Sequence, residues 1–197
     1  MGIDPAPFWA NLYVYHYENQ FVTNLISDDK IRARRFLNAC RFIDDECNLN
    51  DSGEFSRSYT NIYPEELQLK CEHQGTHATF LDLEISVIDN IFVYKLFDKR
   101  DGFPFNIVRM PDLSGNIPSH VFYGTIMSEF LRIARCTLLL PDFISKANVL
   151  YKRMLNQGGT QNMVMKQIRK AIIRHPDTFI KYNTPSRQII DKIIEQQ

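Results

Sequence analysis

The sequence lacks the paired cysteines of a structural zinc site. Cys40, Cys47, Cys71 and Cys136 contain no Cys-x-x-Cys, and the five histidines are scattered, which argues against a zinc-ribbon or finger. Cys40 and Cys47 flank an aspartate pair and can approach across a hairpin, but free, buried thiols are the expectation. No apolar run reaches the roughly 18 residues of a membrane span, and no secretory signal is visible. A setting away from membranes follows, intracellular and reducing, in nucleus or cytoplasm. There is no internal repeat and no low-complexity tract, so a solenoid is excluded. Net charge is also absent, at +0.

What is present is enough for a real core. A chain of 197 residues with 44% apolar content holds one large domain or two small ones. The zero net charge hides an uneven distribution. Residues 1–101 carry 10 Lys/Arg against 17 Asp/Glu, a balance of −7, and residues 102–197 carry 13 against 6, a balance of +7. Such asymmetry suits a protein that handles polyanions, and it equally describes two solvated faces.

The acidic half centres on Arg41-Phe42-Ile43-Asp44-Asp45. Leu37 to Ile43 reads as a strand, with Asn48 to Gly53 supplying turn chemistry beyond the acids. Adjacent strand residues point to opposite faces, so one of the two carboxylates can aim into a given site. Two neighbouring aspartates repel each other unless a cation or water relieves them. A hard divalent ion such as Mg²⁺ would do so, and a solvated turn would also accommodate them.

Elsewhere the spacing predicts the following elements. Asp4 and Pro5 start a helix that runs to about Leu25, and its aromatics (Trp9, Tyr13, Tyr15, Tyr17) read as core in preference to a base-stacking surface. Ser27-Asp28-Asp29 ends it or caps the basic segment Lys30 to Arg35, which suits phosphate contact or a solvated connector. A helix runs from Gly53-Glu54 to Tyr63-Pro64. Strands are expected at Leu67–Cys71 and Phe80–Val87, with Asp89-Asn90 turning the chain into a returning strand, Ile91–Phe97. Residues 102–118, with Pro104, Pro111 and Pro118, read as a linker anchored by Phe103, Phe105 and Ile107. Helices follow at about 119–137, 142–156, 160–174 and 185–195. The third carries Lys166, Arg169, Lys170 and Arg174 as a positive stripe, with Ile168, Ile172 and Ile173 opposite.

Phe-x-Asp-Asp on a hairpin resembles the catalytic motif of reverse transcriptases. Met1-Gly2-Ile3-Asp4-Pro5-Ala6-Pro7 resembles the Met-Gly-x-x-x-Ala-Pro segment that precedes it in that family. Leu67-Gln68-Leu69-Lys70 and Phe80-Leu81-Asp82-Leu83-Glu84-Ile85 fall where the next two motifs stand. The likeness is to enzymes of eukaryotic retroelements of the Penelope-like type, and it is strongest over residues 1–100.

The resemblance implies an α+β fold: a partial polymerase palm over 1–101, an antiparallel sheet with packed helices; a linker at 102–118; and an all-α thumb-like region at 119–197. It implies template-directed nucleotidyl transfer by two Mg²⁺ or Mn²⁺ ions, with an RNA template, a DNA primer and deoxynucleotides as partners. Asp44 and Asp45 become metal ligands, Lys70 the acid that protonates pyrophosphate, and Gly2 part of the loop against template and nucleotide. Ile91–Phe97 becomes a primer grip, and Lys166, Arg169, Lys170 and Arg174 a nucleic-acid-binding surface. The family's other essential aspartate has no counterpart in an apolar strand within 1–43, so the chain reads as a fragment lacking the fingers and upstream palm, inactive alone. Glu46-Cys47 departs from the family, which has apolar residues there; Glu46 would perturb the pair, add a metal contact, or mark a decayed element. The competing readings are a non-catalytic nucleic-acid-binding module derived from a retroelement, and an inert interaction protein.

Overall fold

The structure, a computed structural model, describes residues 5–49, 51, 53–105, 107 and 110–195. Gly2 and Asp4, expected at the nucleotide loop and at a helix cap, lie outside the described residues. The described chain is α+β, with eight helices and two small antiparallel sheets. No described helix is long and apolar enough to cross a membrane. The chain divides into two compact units, Met1–Gln74 and Gly75–Gln197, a division that departs from a boundary at the composition change near Gly102.

The first unit opens with α1, Ala6–Asp28. Pro7 sits in its first turn, where a backbone donor has no partner to lose. Asp29 then turns extended, and its Oδ1 accepts the N–H groups of Ile31 and Arg32 at 3.0 Å each, capping α2, Lys30–Ala33. The acidic triplet therefore both ends one helix and starts the next. Contrary to expectation, α1 is largely open: Leu25 is its one buried described residue, while Phe8 and Trp9 are 63% and 61% exposed. The reason is one of length. A helix of this size is about 35 Å long, and the four-residue strands beside it in sequence span about 13 Å. They cannot cover it.

Two strands follow, β1 (Ala39–Phe42) and β2 (Asp45–Asn48), paired antiparallel with Phe42 opposite Asp45. β1 is shorter than the expected Leu37–Ile43, because a 3-10 turn over Arg34–Phe36 occupies the approach. Next comes α3, Glu54–Ile62, where Asp51 accepts from the Phe55 N–H at 3.2 Å and the Ser56 hydroxyl at 3.3 Å. Tyr63 is extended, as a residue before proline must be. Phe21 meets Phe36 edge-on and Phe36 is tilted against Phe55, an aromatic chain that ties α1 to this region. The strand expected over Leu67–Cys71 does not form. Its alternation finds no partner strand, and an unpaired strand leaves its backbone groups to water.

In the second unit, β3 (His77–Phe80), β4 (Leu83–Ile88) and β5 (Ile91–Leu96) form a meander. The single strand expected over Phe80–Val87 is instead broken at Leu81, whose φ of 54° lets the chain fold back and pair Phe80 with Leu83. Asp89 and Asn90 turn β4 into β5 with φ of 51° and 62°, the backbone of a tight hairpin turn that these two residue types tolerate. Five helices follow: α4 (Ser119–Arg135), α5 (Leu140–Asn156), α6 (Gln161–Arg174), the short α7 (Pro176–Phe179) and α8 (Ser186–Glu195). Their apolar stripes bury Phe122, Phe130, Phe143, Met154, Ile168 and Ile189. Gly158 takes φ +86°, and a Cβ on Gly159 would lie 2.7 Å from the Met154 carbonyl oxygen, so only glycine permits the tight passage from α5 to α6.

The sheet is stitched to these helices. Leu138 donates its N–H to Tyr94 O at 2.9 Å, and the buried Thr137 hydroxyl accepts from the Leu96 N–H at 3.4 Å. This backbone seam explains why β3 to β5 belong with α4 to α8. In the linker, Phe103, Phe105 and Ile107 are exposed, correcting their expected role as anchors. Met110 is buried instead, its carbonyl accepting from Gln157 Nε2 at 3.2 Å, while the Leu113 N–H reaches Gln157 O at 2.9 Å.

Candidate functional site

The Asp44-Asp45 pair stands where a two-residue loop, Ile43-Asp44, joins β1 to β2. Ile43 has φ 57°, a conformation a β-branched residue reaches only under strain. Asp44 is in the turn and Asp45 opens β2; both are exposed, and neither side chain makes a hydrogen bond or ion pair among the described residues. Strand alternation puts Asp45 on one face with Phe42, Cys40 and Cys47, and puts Ala39, Arg41, Glu46 and Asn48 on the other.

That second face is where the hairpin is anchored. Arg41 Nε and Nη2 reach the Glu18 carboxylate at 2.6 and 3.2 Å, and Nη1 reaches Asn11 Oδ1 at 2.7 Å and Ile43 O at 3.0 Å. Asn11 and Glu18 are seven residues apart and so share one face of α1. The Arg41 and Glu18 side chains are 14% and 26% exposed, so the pair is largely desolvated and bidentate. Tyr63 completes the cluster: its hydroxyl lies 2.8 Å from Glu18 Oε1 and 3.1 Å from Glu46 Oε2.

One phenol proton cannot serve two carboxylates. Glu18, already paired with Arg41, takes it at the shorter distance. Glu46 lies at the longer distance from the same hydroxyl. Burial, with Glu18 nearby, pushes Glu46 up to about 7. The Tyr63 phenol is pushed up by burial, then by Glu46 and Glu18. Glu46 therefore acts on the anchoring face, with Tyr63 and Glu18 as its neighbours.

The described residues do not furnish a complete site for Mg²⁺ or Mn²⁺. No group of three metal-capable side chains is found among them, and an octahedral ion in a polymerase site needs carboxylates from more than one rigid element. Asp44 and Asp45 stand together on one turn. Lys70 is exposed, lies in the segment that forms no strand, and has no contact to either aspartate among the described residues. The Ile91–Phe97 hairpin strand is present as β5, with Ile91 and Phe92 exposed beside the turn.

In the second unit, Lys166, Arg169 and Arg174 are exposed and Lys170 half-exposed along α6. None of the four is ion-paired among the described residues. Ile168 and Ile172 are buried behind them, but Ile173 is 77% exposed. At helical spacing Ile173 falls between Lys166 and Arg169, inside the basic stripe rather than opposite it. Apart from this stripe, a cavity of about 70 Å³ is bordered by Asp98, Arg100, Glu129 and Arg153. It is far below the roughly 300 Å³ that a ligand pocket needs. Arg100 holds Asp98 down to about 2 there.

Sequence reasoning missed the Arg41–Glu18–Tyr63–Glu46 cluster. A weak signal existed: Arg41 and Glu46 flank the loop symmetrically, which makes them opposite partners in a two-residue hairpin. Comparison of the chain with protein-family models, curated proteins and solved structures gives no match.

Proposed function

We propose that this chain is a nucleic-acid-handling part of a reverse-transcriptase-type polymerase: a palm hairpin followed by a thumb-like helical unit. The reading is carried by the Asp44-Asp45 pair on a strained two-residue turn, with neither carboxylate bonded among the described residues. Phe-x-Asp-Asp at such a tip is the arrangement the resemblance implies. The described residues supply one acidic element of a metal site, so nucleotide addition is not assigned to the chain by itself. Its own contribution is to present that acidic turn on a rigid base and to hold polyanions on α6. RNA template, DNA primer and deoxynucleotides are the partners of this reading, and Mg²⁺ or Mn²⁺ its ion.

The test is primer extension with the chain alone in Mg²⁺ and in Mn²⁺. No extension is expected; extension abolished by Asp44→Asn would assign catalysis to the chain. Mn²⁺ titration followed by paramagnetic broadening should select Asp44 and Asp45, with affinity in the weak range expected of an incomplete ligand set. Uniform broadening of all exposed carboxylates would remove the metal-site half of the proposal.

A second reading is favoured by the unpaired stripe on α6: a nucleic-acid-binding module without catalysis. Four exposed or half-exposed cations with no partner among the described residues are available to phosphates. Duplex binding that falls steeply with salt and is indifferent to Asp44→Asn supports this second reading over the first.

A further inference from the structure

We infer that Cys40 and Cys47 are a thiol–disulfide exchange site for low-molecular-weight disulfides, closing to an intrachain bond across the hairpin. Cys40 and Cys47 are direct partners in the β1–β2 register. Leu49 N–H bonds Asn38 O at 3.2 Å, and two residues further toward the turn the same alternation makes Cys40 and Cys47 a hydrogen-bonded pair. Cα atoms of such pairs stand about 5.5 Å apart, inside the roughly 4.4–6.8 Å that a disulfide spans. Both side chains project from one face, opposite the Arg41 anchor. The Cys40 Sγ already lies 3.5 Å from the Cys47 carbonyl oxygen. Cβ atoms of directly opposite residues stand about 4.5–5.5 Å apart, slightly beyond the roughly 3.5–4.5 Å of a disulfide, so closing the bond draws the two strands together.

The two thiols are unequal. Cys40 is exposed and Cys47 half-buried. Cys40 is therefore the thiol that an incoming disulfide meets. Its thiolate attacks one sulfur of R–S–S–R and displaces R–S⁻, leaving a mixed disulfide on Cys40. Cys47 gives its proton to solvent and attacks the Cys40 sulfur, displacing the second R–S⁻. Two protein thiols are oxidised by two electrons, and one small disulfide is reduced to two thiols. The ring so formed runs from Cys40 to Cys47 and encloses the Asp44-Asp45 turn.

The test uses the full chain and reads only thiols, so it is independent of the polymerase reading. The protein, freed of reductant, is incubated with oxidised glutathione, quenched in acid, denatured and alkylated with iodoacetamide. Of the four cysteines, two should escape alkylation. Trypsin cuts after Arg41, between the pair, so peptides 36–41 and 42–57 should run as one linked species until reduced. In Cys47→Ser the product should become a stable glutathione adduct on Cys40. Four alkylated thiols, a lasting adduct on Cys40 in the unsubstituted chain, a link to Cys71 or Cys136, or a bond between two chains overturns the inference.

Discussion

Arg41 and Glu46 stand opposite each other on the hairpin, yet they do not pair. Arg41 spends its guanidinium on Glu18 and Asn11 of α1, and Glu46 meets the Tyr63 hydroxyl. Among the described residues the polar anchor acts from this face, while Asp45 on the other face is exposed.

Arg41→Ala removes this anchor. It leaves the Glu18 carboxylate half-buried with Tyr63 as its remaining donor, a loss that costs about 2–4 kcal/mol at a largely desolvated pair. Urea denaturation of the full chain should show a first transition moved to lower denaturant. Arg41→Lys should restore little, since an ammonium cannot span Glu18 and Asn11 together.

Glu46 makes the first unit sensitive to pH. Its folded value, about 7, lies above the ordinary carboxyl range, so the folded state binds the extra proton. The stabilisation is complete below about pH 4.5 and fades as pH rises through 7. Glu46→Gln keeps the hydrogen bond to Tyr63 without the titration. Thermal unfolding of this variant should vary less between pH 6 and 8.5 than that of the unsubstituted chain, and at pH 8.5 it should exceed the latter by of order 1 kcal/mol, the full linkage being reduced by solvent screening at a partly exposed group. A parallel slope in both proteins would refute the proton assignment.

Ile43 at φ 57° stores backbone strain of about 1–2 kcal/mol. Ile43→Asn, which tolerates this conformation, should slow amide exchange across β1 and β2 by several-fold. Slower exchange would locate the strain in the turn; faster exchange would show that the Ile43 side chain contributes more by packing.

Alanine at Lys166, Arg169, Lys170 and Arg174 together should weaken duplex binding and lower the slope of log K against log salt by about 3 to 4. Asp44→Asn should leave that slope unchanged. Ile173→Ser, within the same stripe, tests whether an apolar contact accompanies the phosphates; it should change affinity without changing the salt slope.

The helices of the second unit were legible because prolines and paired glycines mark their ends. Pro141, Gly158-Gly159, Pro176 and Pro185 punctuate α5, α6 and α8 within a residue or two. The Asp44-Asp45 turn was legible because apolar strand residues precede it and turn formers follow. The burial of α1 was not, since Trp9 and Leu25 look alike in sequence and differ only in what reaches them. The Leu67–Cys71 alternation misled for the same reason: a strand is defined by its partner. Glu46 could not be understood locally, because Glu18 lies 28 positions before it and Tyr63 beyond the next helix.

The seam between Tyr94, Leu96 and the Thr137-Leu138 corner has an evolutionary corollary. A meander welded by its own main chain to the helices that follow it travels with them. Recombination near Gln74-Gly75 would hand on the basic helices together with their sheet, and leave the acidic turn behind with the helix that braces it.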